Sequence, residues 1–492
     1  MTPMSAATAR PHARGASGGG TARRAVRPSI GSSTRRCVAA IRTGTVALWV
    51  GLAGTARAGD DPGAAYAEPT DAARGARAIA HFAVAPALPD DYPTGTPRPY
   101  QPIEDPTGHA LEHFFAALTR TDAKEPGALT RVMHMGDSSI GLDGLPHAIR
   151  TRLQDRFGDG GPGFLLLTRY NPNYASKVAR LSSGGHWDVC YIAYRCRRDG
   201  GYGLGGHVFR GQPGSTATIR TRRRGKYGTE ASRFELWYAT SPRGGKATLT
   251  VDDGDPVIVD TRGDTVAARW TTLSADRGGH ALRLRVDGGQ YVWAYGVVAE
   301  TEGPGLVWDT MSMIGAYTKR LHAFDDAHIA EQVAHRDANL LVLNYGGNDL
   351  RRLVSGRAEA AEYQAELSQT IVKLRRGKPE MSCLVVSVID HGKSGDKTVR
   401  RHHIKTMVAA QRKAAFDNGC AFFDSVAAMG GPGSVRKWKR RRPALAAADL
   451  KHLSPRGRDL MGARIVASLL ARYEAYAAEQ ADAAAASPGA SP

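Results

Sequence analysis

The sequence predicts an α/β protein in which a parallel sheet is covered by helices on both faces, in three α/β/α layers, and is interrupted by an inserted antiparallel β-sandwich of jelly-roll type. Two observations predict this fold. Short strands that are apolar throughout alternate with amphipathic helices on both sides of the middle third of the chain. The middle third itself is rich in glycine and in alternating polar and apolar positions, which is typical of antiparallel strands.

The first α/β part covers residues 108–167 and begins with apolar positions at helical spacing between residues 110 and 118. A short strand at residues 131–135 follows and leads into Gly136-Asp137-Ser138. A second amphipathic helix is predicted over residues 142–157, with Gly158 as its stop.

The inserted domain covers residues 168–300, and the second α/β part covers residues 301–475. The second part repeats the alternation of strands and helices. Its predicted elements are a strand at 339–344, a helix at 359–374, a strand at 383–389, a helix at 399–416, a strand at 421–423 and a helix at 458–475.

The two ends of the chain have the composition of segments outside the fold. Residues 1–58 carry nine arginines and no acidic residue, and an apolar run is followed by Ala56-Arg57-Ala58, the small-x-small form of a cleavage site. We read them as an export leader; a basic disordered arm is the alternative. Residues 59–107 are predicted to be a Pro/Gly-rich linker, and residues 476–492 a disordered tail.

Charge and hydropathy limit the classes of partner. Loss of the leader's nine arginines would lower the formal charge from +19 to +10. No internal stretch reaches the roughly 20 apolar residues of a membrane span, so no transmembrane domain is expected after leader removal. The basic run at residues 436–442 has no accompanying nucleic-acid motif, and a nucleic-acid partner is not expected. A solvated loop and a contact with an anionic glycan both stay open for this run.

The cysteine positions suggest different roles. Cys190 and Cys196 are close enough for a small loop disulfide in an oxidising compartment. Cys383 and Cys420 lie in apolar, strand-like runs and are expected to be buried thiols. No paired-cysteine motif indicates a zinc site.

The first candidate motif is Gly136-Asp137-Ser138, at the end of the first predicted strand. Sites in open α/β sheets lie beyond the carboxyl ends of strands, so a serine there is a candidate nucleophile. Gly-Asp-Ser is also ordinary turn chemistry, and the tripeptide alone does not decide between the two.

Two further motifs follow predicted strands or precede a helix. Gly346-Gly347-Asn348-Asp349 comes directly after a strand, where an asparagine amide can point at a developing oxyanion. Asp449 stands three residues before His452, a spacing that lets a carboxylate orient an imidazole whose other nitrogen accepts a serine proton. Each motif alone is also compatible with a turn or a helix cap.

In this order, the three motifs resemble the sequence blocks of the SGNH/GDSL hydrolase superfamily. The first block matches Gly136-Asp137-Ser138, the third matches Gly346-x-Asn348-Asp349 and the last matches Asp449-x-x-His452. The second block contributes a glycine, which Gly315 matches best. The resemblance implies the SGNH-hydrolase fold.

The resemblance also implies a role for each residue. Ser138 is the expected nucleophile, His452 its general base and Asp449 the group that holds His452. The amides of Ser138 and Gly315, with the side chain of Asn348, are the expected oxyanion hole. No metal or organic cofactor is required.

Several other residues compete for these roles. Ser139 stands where the familiar motif has leucine, and it is a possible mistaken nucleophile. Asp390-His391, at a later strand end, is the rival base, whereas His134 is expected to be structural. The aromatic residues of the insertion are expected in its core rather than in a sugar platform; they are Trp237, Tyr238, Trp270, Trp293 and Tyr295.

The position of the insertion and the glycine-rich segments at residues 157–164 and 202–206 resemble the bacterial peptidoglycan O-acetylesterase branch, which carries a carbohydrate-binding-module-like β-sandwich after the first block. The implied function is a periplasmic or secreted serine esterase that removes O-acetyl or other short acyl groups from peptidoglycan or another envelope polysaccharide. An O-acetyltransferase that uses the same serine and a non-catalytic glycan-binding protein are the alternatives. The sequence does not determine the oligomeric state.

Overall fold

The structure is a computed structural model that describes residues 100–485. Its strands, in chain order, are β1 (Ile103–Glu104), β2 (Leu129–Gly136), β3 (Gly163–Leu165), β4 (Ala179–Gly184), β5 (Trp187–Tyr191), β6 (His207–Gly211), β7 (Thr216–Thr221), β8 (Ala231–Thr240), β9 (Lys246–Val251), β10 (Val257–Asp260), β11 (Ala267–Gly278), β12 (Ala281–Val286), β13 (Val292–Glu300), β14 (Gly305–Ser312), β15 (Leu340–Asn344), β16 (Ser382–Val386), β17 (Lys393–Ser394), β18 (Lys397–Thr398) and β19 (Ala421–Phe423).

The helices alternate with the strands of the two α/β parts. In chain order they are α1 (Glu112–Asp122), α2 (Leu145–Phe157), α3 (Asp326–Arg336), α4 (Asp349–Val354), α5 (Ala360–Arg375), α6 (Arg401–Asp417), α7 (Ser425–Ala428), α8 (Ser434–Arg440) and α9 (Pro455–Ala485). Short 3-10 segments cover Ser138–Asp143, Ile192–Tyr194 and Thr318–Ala323.

The predicted α/β core is confirmed as a six-stranded sheet in the order β1-β19-β16-β15-β2-β14. Its strands run parallel except for β1, which pairs antiparallel with β19. The last residues of three neighbouring strands stand in register, because Gly136 pairs with both Ser312 and Asn344. The loops that follow β2, β14 and β15 therefore all leave the sheet at its carboxyl-terminal edge.

The central strands face two separate cores, which is the three-layer arrangement that the sequence predicted. On β2, Val132 packs in a cluster with residues of α1, α2 and α9. Met133 and Met135 point the other way, into a cluster that contains residues of α3, α5 and α6. Strands buried on both faces have to be apolar throughout, and this is the pattern in the sequence.

The inserted domain consists of two antiparallel sheets, with strand orders β10-β9-β12-β7-β4 and β11-β8-β13-β6-β5, and β3 pairs with β13. On β7 and β12, buried and accessible residues alternate, so one face of this sheet is covered. The buried residues of both sheets belong to the same cluster as Met133 and Met135. The β-domain and the α/β domain therefore share a continuous core.

Several element boundaries differ from the predicted ones. β1 lies inside the predicted linker, where Glu104 pairs with Arg412, and β3 begins the β-domain ahead of residue 168. The second helix begins at Leu145 rather than Leu142, because Leu142 has a left-handed backbone with φ of 57°. Helix α9 continues past residue 475 to Ala485 through an alanine-rich stretch of high helix propensity. The predicted leader, most of the linker and residues 486–492 lie outside the described residues.

Two disulfides join the described cysteines. Cys190 and Cys196 are bonded, as the sequence suggested. The expectation of free thiols at Cys383 and Cys420 is wrong, because these residues form a second disulfide. They lie at β16 and directly before β19, which are neighbours in the sheet, and this pairing was invisible in the sequence because 37 residues separate them.

Among residues 100–485, no helix combines the length and the apolar character needed to cross a membrane.

Candidate active site

The predicted nucleophile lies at the carboxyl-terminal edge of the parallel sheet. Ser138 follows β2 and begins a 3-10 segment, which Asp137 caps by accepting a 2.8 Å hydrogen bond from the amide of Ser139. The Ser138 side chain is partly accessible, whereas Asp137 is buried. The strand end thus exposes the serine and fixes the backbone beneath it.

Ser138, His452 and Asp449 form a continuous hydrogen-bonded chain. Ser138 Oγ lies 2.9 Å from His452 Nε2, and His452 Nδ1 lies 2.7 Å from Asp449 Oδ2. A carboxylate can only accept, so the proton of the neutral ring lies on Nδ1 and Nε2 is left to accept from the serine hydroxyl. These contacts arrange the three residues for proton transfer from serine to histidine.

Asp449 is held as a carboxylate by the loop that it belongs to. Its partial burial acts to raise its pKa, but hydrogen bonds from His452 and from two backbone amides outweigh this and hold the pKa below the usual value. These amides belong to Lys451 and His452, at 3.0 and 3.1 Å from Asp449 Oδ1. The same carboxylate therefore shapes the turn and orients the imidazole.

The histidine loop is also anchored at both ends. The amide of Ala447 donates to the carbonyl of His452 at 2.8 Å, and Ala446 forms a bridge with Leu453. Ser454 then caps α9, with its Oγ accepting from the amide of Gly457 at 3.1 Å. The turn between a bridge and a helix start fixes the position of His452.

The two backbone amides that the sequence predicted for an oxyanion hole make no hydrogen bond in the described part of the structure. Within residues 100–485, the N–H groups of Ser138 and Gly315 have no hydrogen-bond acceptor. Gly315 has φ of 82°, and a Cβ at this position would meet open space, so the backbone conformation requires glycine while the space in front of it is free.

Two tyrosines of the inserted domain hold the backbone of the Gly315 loop. Tyr170 donates its hydroxyl proton to the carbonyl of Ser312 at 2.8 Å and accepts from the amide of Ile314 at 3.2 Å. Tyr191 donates to the carbonyl of Ile314 at 2.8 Å. Motif spacing alone could not indicate these tyrosines, because they come from the loops and strands of the insertion.

The structure places Asn348 next to this loop but does not leave its amide free. Asn348 Nδ2 lies 2.9 Å from the carbonyl of Ala316 and 3.5 Å from Asp137 Oδ2. The second contact is at the limit of a hydrogen bond, so one N–H remains weakly engaged. That N–H is the part of Asn348 that can serve an oxyanion.

The residue after Asn348 is an unusually placed acid. Asp349 is buried and accepts hydrogen bonds from the amide and the hydroxyl of Thr318, each at 3.1 Å. Burial, with the nearby carboxylate of Asp137, raises its pKa to about 7. Asp349 therefore ties α4 to the 3-10 segment that follows the Gly315 loop.

The competing residues are engaged elsewhere. Ser139 Oγ donates to the carbonyl of Asn344 at 3.1 Å. His391 shares a pocket with Ser138 and His452, but its Nδ1 donates to the carbonyl of Ile389 at 2.8 Å and burial lowers its pKa to about 4. Asp390 accepts from the amides of Gly433 and Val435 rather than from an imidazole.

His134 and the aromatic residues of the insertion occupy the positions that the sequence suggested. His134 is buried, receives a hydrogen bond from Trp308 Nε1, and has its pKa lowered to about 3 by burial. Trp237 and Tyr295 are fully buried, and Tyr238 is nearly so. Trp270 and Trp293 are partly buried against the same core.

The pocket at the catalytic residues is narrow, with a volume of about 20 Å³, the space of about one water molecule. It is lined by Ser138, His452, His391, Lys451 and neighbouring backbone. A larger cavity of about 580 Å³ lies at the opposite edge of the sheet, near the start of β2, and is lined by ion pairs such as Arg131 with Glu300. A pocket of this size leaves nearly all of any substrate outside it.

Comparison with known proteins identifies the fold. No protein-family model and no curated protein matches the chain. Among solved structures, a peptidoglycan O-acetylesterase superposes with a TM-score of 0.63 at 20% identity, over 76% of this chain and 99% of that one. The chain has the SGNH-hydrolase fold.

Two other solved structures align with lower TM-scores. A lipase/acylhydrolase from Enterococcus faecalis gives a TM-score of 0.27 at 20% identity, over 34% of this chain and 77% of that one. A family two carbohydrate esterase from Cellvibrio japonicus gives 0.24 at 11% identity, over 60% and 99% of the two chains. The SGNH-hydrolase fold with its inserted β-domain is the one that the chain shares with the O-acetylesterase.

Proposed function

We propose that the chain is an exported serine esterase that removes acetyl groups, or other short acyl groups, from the sugar hydroxyls of a cell-wall or envelope polysaccharide. The observation that carries this proposal is the hydrogen-bonded chain from Ser138 through His452 to Asp449. The SGNH-hydrolase fold that the chain shares with a peptidoglycan O-acetylesterase supports the choice of substrate.

The first half of the proposed reaction acylates the serine. Ser138 Oγ attacks the acetyl carbonyl while its proton passes to His452 Nε2, and Asp449 stabilises the imidazolium. The carbonyl oxygen takes the negative charge and is bound by the amides of Ser138 and Gly315, with Asn348 as a third donor. The C–O bond to the sugar then breaks, and His452 returns the proton to the sugar oxygen.

The second half releases the acyl group. A water molecule attacks the acyl-serine while His452 removes its proton, and collapse of the second tetrahedral intermediate returns that proton to Ser138 and releases acetate. An acyltransferase would differ only in this half, where a sugar hydroxyl replaces water. The acyltransferase would use the same catalytic residues as the esterase.

Export is supported by the two disulfides, because such bonds persist in oxidising compartments such as the periplasm or the extracellular space. The basic amino-terminal segment with its small-x-small site is consistent with that route.

The direct test incubates the purified protein with O-acetylated peptidoglycan and measures both free acetate and acetyl transfer to an added glycan acceptor. Acetate release that is lost in Ser138→Ala supports the esterase. Serine-dependent transfer without net acetate release would replace the esterase by an acyltransferase. Glycan binding with neither product would leave a binding protein and refute the proposal.

A further inference from the structure

Four arginines of the inserted domain line one cavity with no acidic partner. Arg180 lies on β4, and the other three follow β7; they are Arg222, Arg223 and Arg224. The cavity has a volume of about 270 Å³. Among residues 100–485, no carboxylate lies within ion-pair distance of these four guanidinium groups. We call this set the arginine cluster.

A series of hydrogen bonds links the arginine cluster to β14 of the parallel sheet and to the 3-10 segment that begins at Ser138. Arg222 donates to the carbonyl of Lys177 at 3.1 Å, and the amide of Lys177 donates to Asp143 at 2.9 Å. Asp143 ends the 3-10 segment that begins at Ser138 and also accepts from Thr310 on β14 at 2.7 Å. The contacts thus connect the cluster with the outer strand of the sheet.

A second group of unpaired cations follows β19 in the chain, and β19 lies on the other side of β2 from β14. Its members, here called the α8 cluster, are Arg436, Lys437, Lys439, Arg440, Arg441 and Arg442. Within the described part of the chain, none of them forms an ion pair. The amides of Gly433 and Val435, around the start of α8, bind Asp390, whose neighbour His391 lines the catalytic pocket.

The strand order places Ser138 between β14, to which the arginine cluster is linked through Asp143, and β19, which precedes the α8 cluster in the chain. From β14 to β19 the sheet passes through β2, β15 and β16, and Ser138 follows β2. Four strand spacings separate β14 from β19 by about 19 Å. A ligand that runs from β14 to β19 along the carboxyl-terminal edge of the sheet therefore passes Ser138.

We propose that the two clusters bind one strand of a carboxylate-bearing polysaccharide and draw it across the catalytic pocket. Unpaired guanidinium groups bind carboxylates through paired hydrogen bonds, and their mutual repulsion falls when an anion is bound. The choice of a polysaccharide rests on the proposed function. The two-cluster contact itself does not require turnover.

Binding at two clusters on one strand predicts a dependence on ligand length. A short fragment reaches one cluster only, whereas a long chain engages both, and its second contact is intramolecular. The long chain should therefore bind at least about tenfold more tightly than a short fragment, counted per binding site. The binding should weaken as salt is added, because exposed charges are screened.

The test uses the full-length protein and fragments of polygalacturonate of two lengths, which carry a carboxylate on every sugar. Arg223→Gln/Arg224→Gln and Arg436→Gln/Arg440→Gln should each remove most of the advantage of the long fragment. Neither pair of side chains makes a hydrogen bond or ion pair among the described residues, so the fold should be retained. The control Arg243→Gln/Arg262→Gln removes the same charge from exposed loops elsewhere in the β-domain and should bind like the parent.

Three outcomes would overturn the proposal. They are equal loss of binding in the control variant, equally tight binding of methyl-esterified polygalacturonate, and equally tight binding of double-stranded DNA of matched charge. Turnover of a small soluble ester should be unchanged in both cluster variants. A protein that binds the long fragment as expected but releases no acetate would refute the esterase and leave the two-cluster contact standing.

Discussion

At the residue scale, the state of His452 determines whether Ser138 can react. His452 accepts the serine proton only in the tautomer with hydrogen on Nδ1, and Asp449 Oδ2 selects that tautomer from 2.7 Å. The low pKa of Asp449 keeps the carboxylate ionised at neutral pH. Orientation and charge are thus supplied by the same side chain.

Asp449→Asn should lower kcat by roughly 10³–10⁴-fold, because an amide can stabilise the wrong imidazole tautomer and does not stabilise the imidazolium. The measurement is turnover of a small ester, with circular dichroism to establish that the fold is retained. Asp459→Asn is a matched control, since Asp459 is an exposed carboxylate that pairs with Arg152. Equal activity in the two variants would contradict the assigned role.

Asn348→Ala should lower kcat by roughly 10²–10³-fold with little change in KM, if its amide stabilises the oxyanion. The split between kcat and KM is the decisive readout. A rise in KM with unchanged kcat would instead indicate that Asn348 contacts the substrate, with Ala316 and Asp137 positioning its side chain.

At the scale of elements, one disulfide and one ion-pair group hold the sheet together. Cys383 and Cys420 join β16 to the start of β19, and among the described residues this is the only disulfide within the parallel sheet. Glu300, at the end of β13, binds Arg131 on β2 and Arg336 at the end of α3. The disulfide closes a long loop, and the ion pairs of Glu300 join the insertion to the α/β domain.

Replacing Cys383 and Cys420 together by Ala should lower the free energy of unfolding by about 4 kcal/mol, from the loss of the constraint on the unfolded chain. The same change at Cys190 and Cys196 removes a bond that closes a much shorter loop, and it should lower the free energy of unfolding by about 2 kcal/mol. Denaturant unfolding of both double variants gives the comparison. A larger loss for the short loop would contradict the loop-length explanation.

Glu300 should make stability depend on pH in the acid range. Burial acts to raise its pKa, but the guanidinium groups of Arg336 and Arg131 outweigh burial and hold the pKa at about 2. A carboxyl whose folded pKa is depressed stabilises the fold above its unfolded pKa. This contribution, about 3 kcal/mol, is therefore complete above about pH 4.5 and is lost as the pH falls from there toward 2.

Glu300→Gln should lower the stability at pH 7 by about 3 kcal/mol and flatten this part of the pH profile, because two guanidinium groups lose their carboxylate. Thermal unfolding between pH 2 and 7 measures both effects. Glu302→Gln, at an exposed neighbouring acid, is the control. The account fails if the two variants have the same pH profile.

At the scale of the whole molecule, the sequence predicted the architecture better than its boundaries. Continuous apolar strands such as β15 are buried on both faces, so their composition indicated a parallel sheet. β3 was missed, because three residues in a glycine-rich segment give no periodicity. The Cys383–Cys420 bond depends on which strands are neighbours, and local sequence does not contain that information.

The candidate site was predictable where a motif follows a strand or precedes a helix. Ser138, Asp449 and His452 were named from local patterns, and the structure brings them together from distant parts of the chain. Tyr170 and Tyr191 were not predicted, because their contacts with the Gly315 loop arise from the packing of the insertion. The arginine cluster was missed for the same reason, since one member lies on β4 and the other three follow β7.

The central claim is that Ser138 carries the acyl group during turnover. The most direct measurement mixes the protein with an activated acetyl ester, quenches it within the first turnover and locates the added acetyl group by mass spectrometry of the peptides. The account predicts one acetyl group on Ser138, none in Ser138→Ala, and normal labelling in Ser139→Ala. Acetylation of Ser139 in the parent protein, or ester turnover that persists in Ser138→Ala, would contradict it.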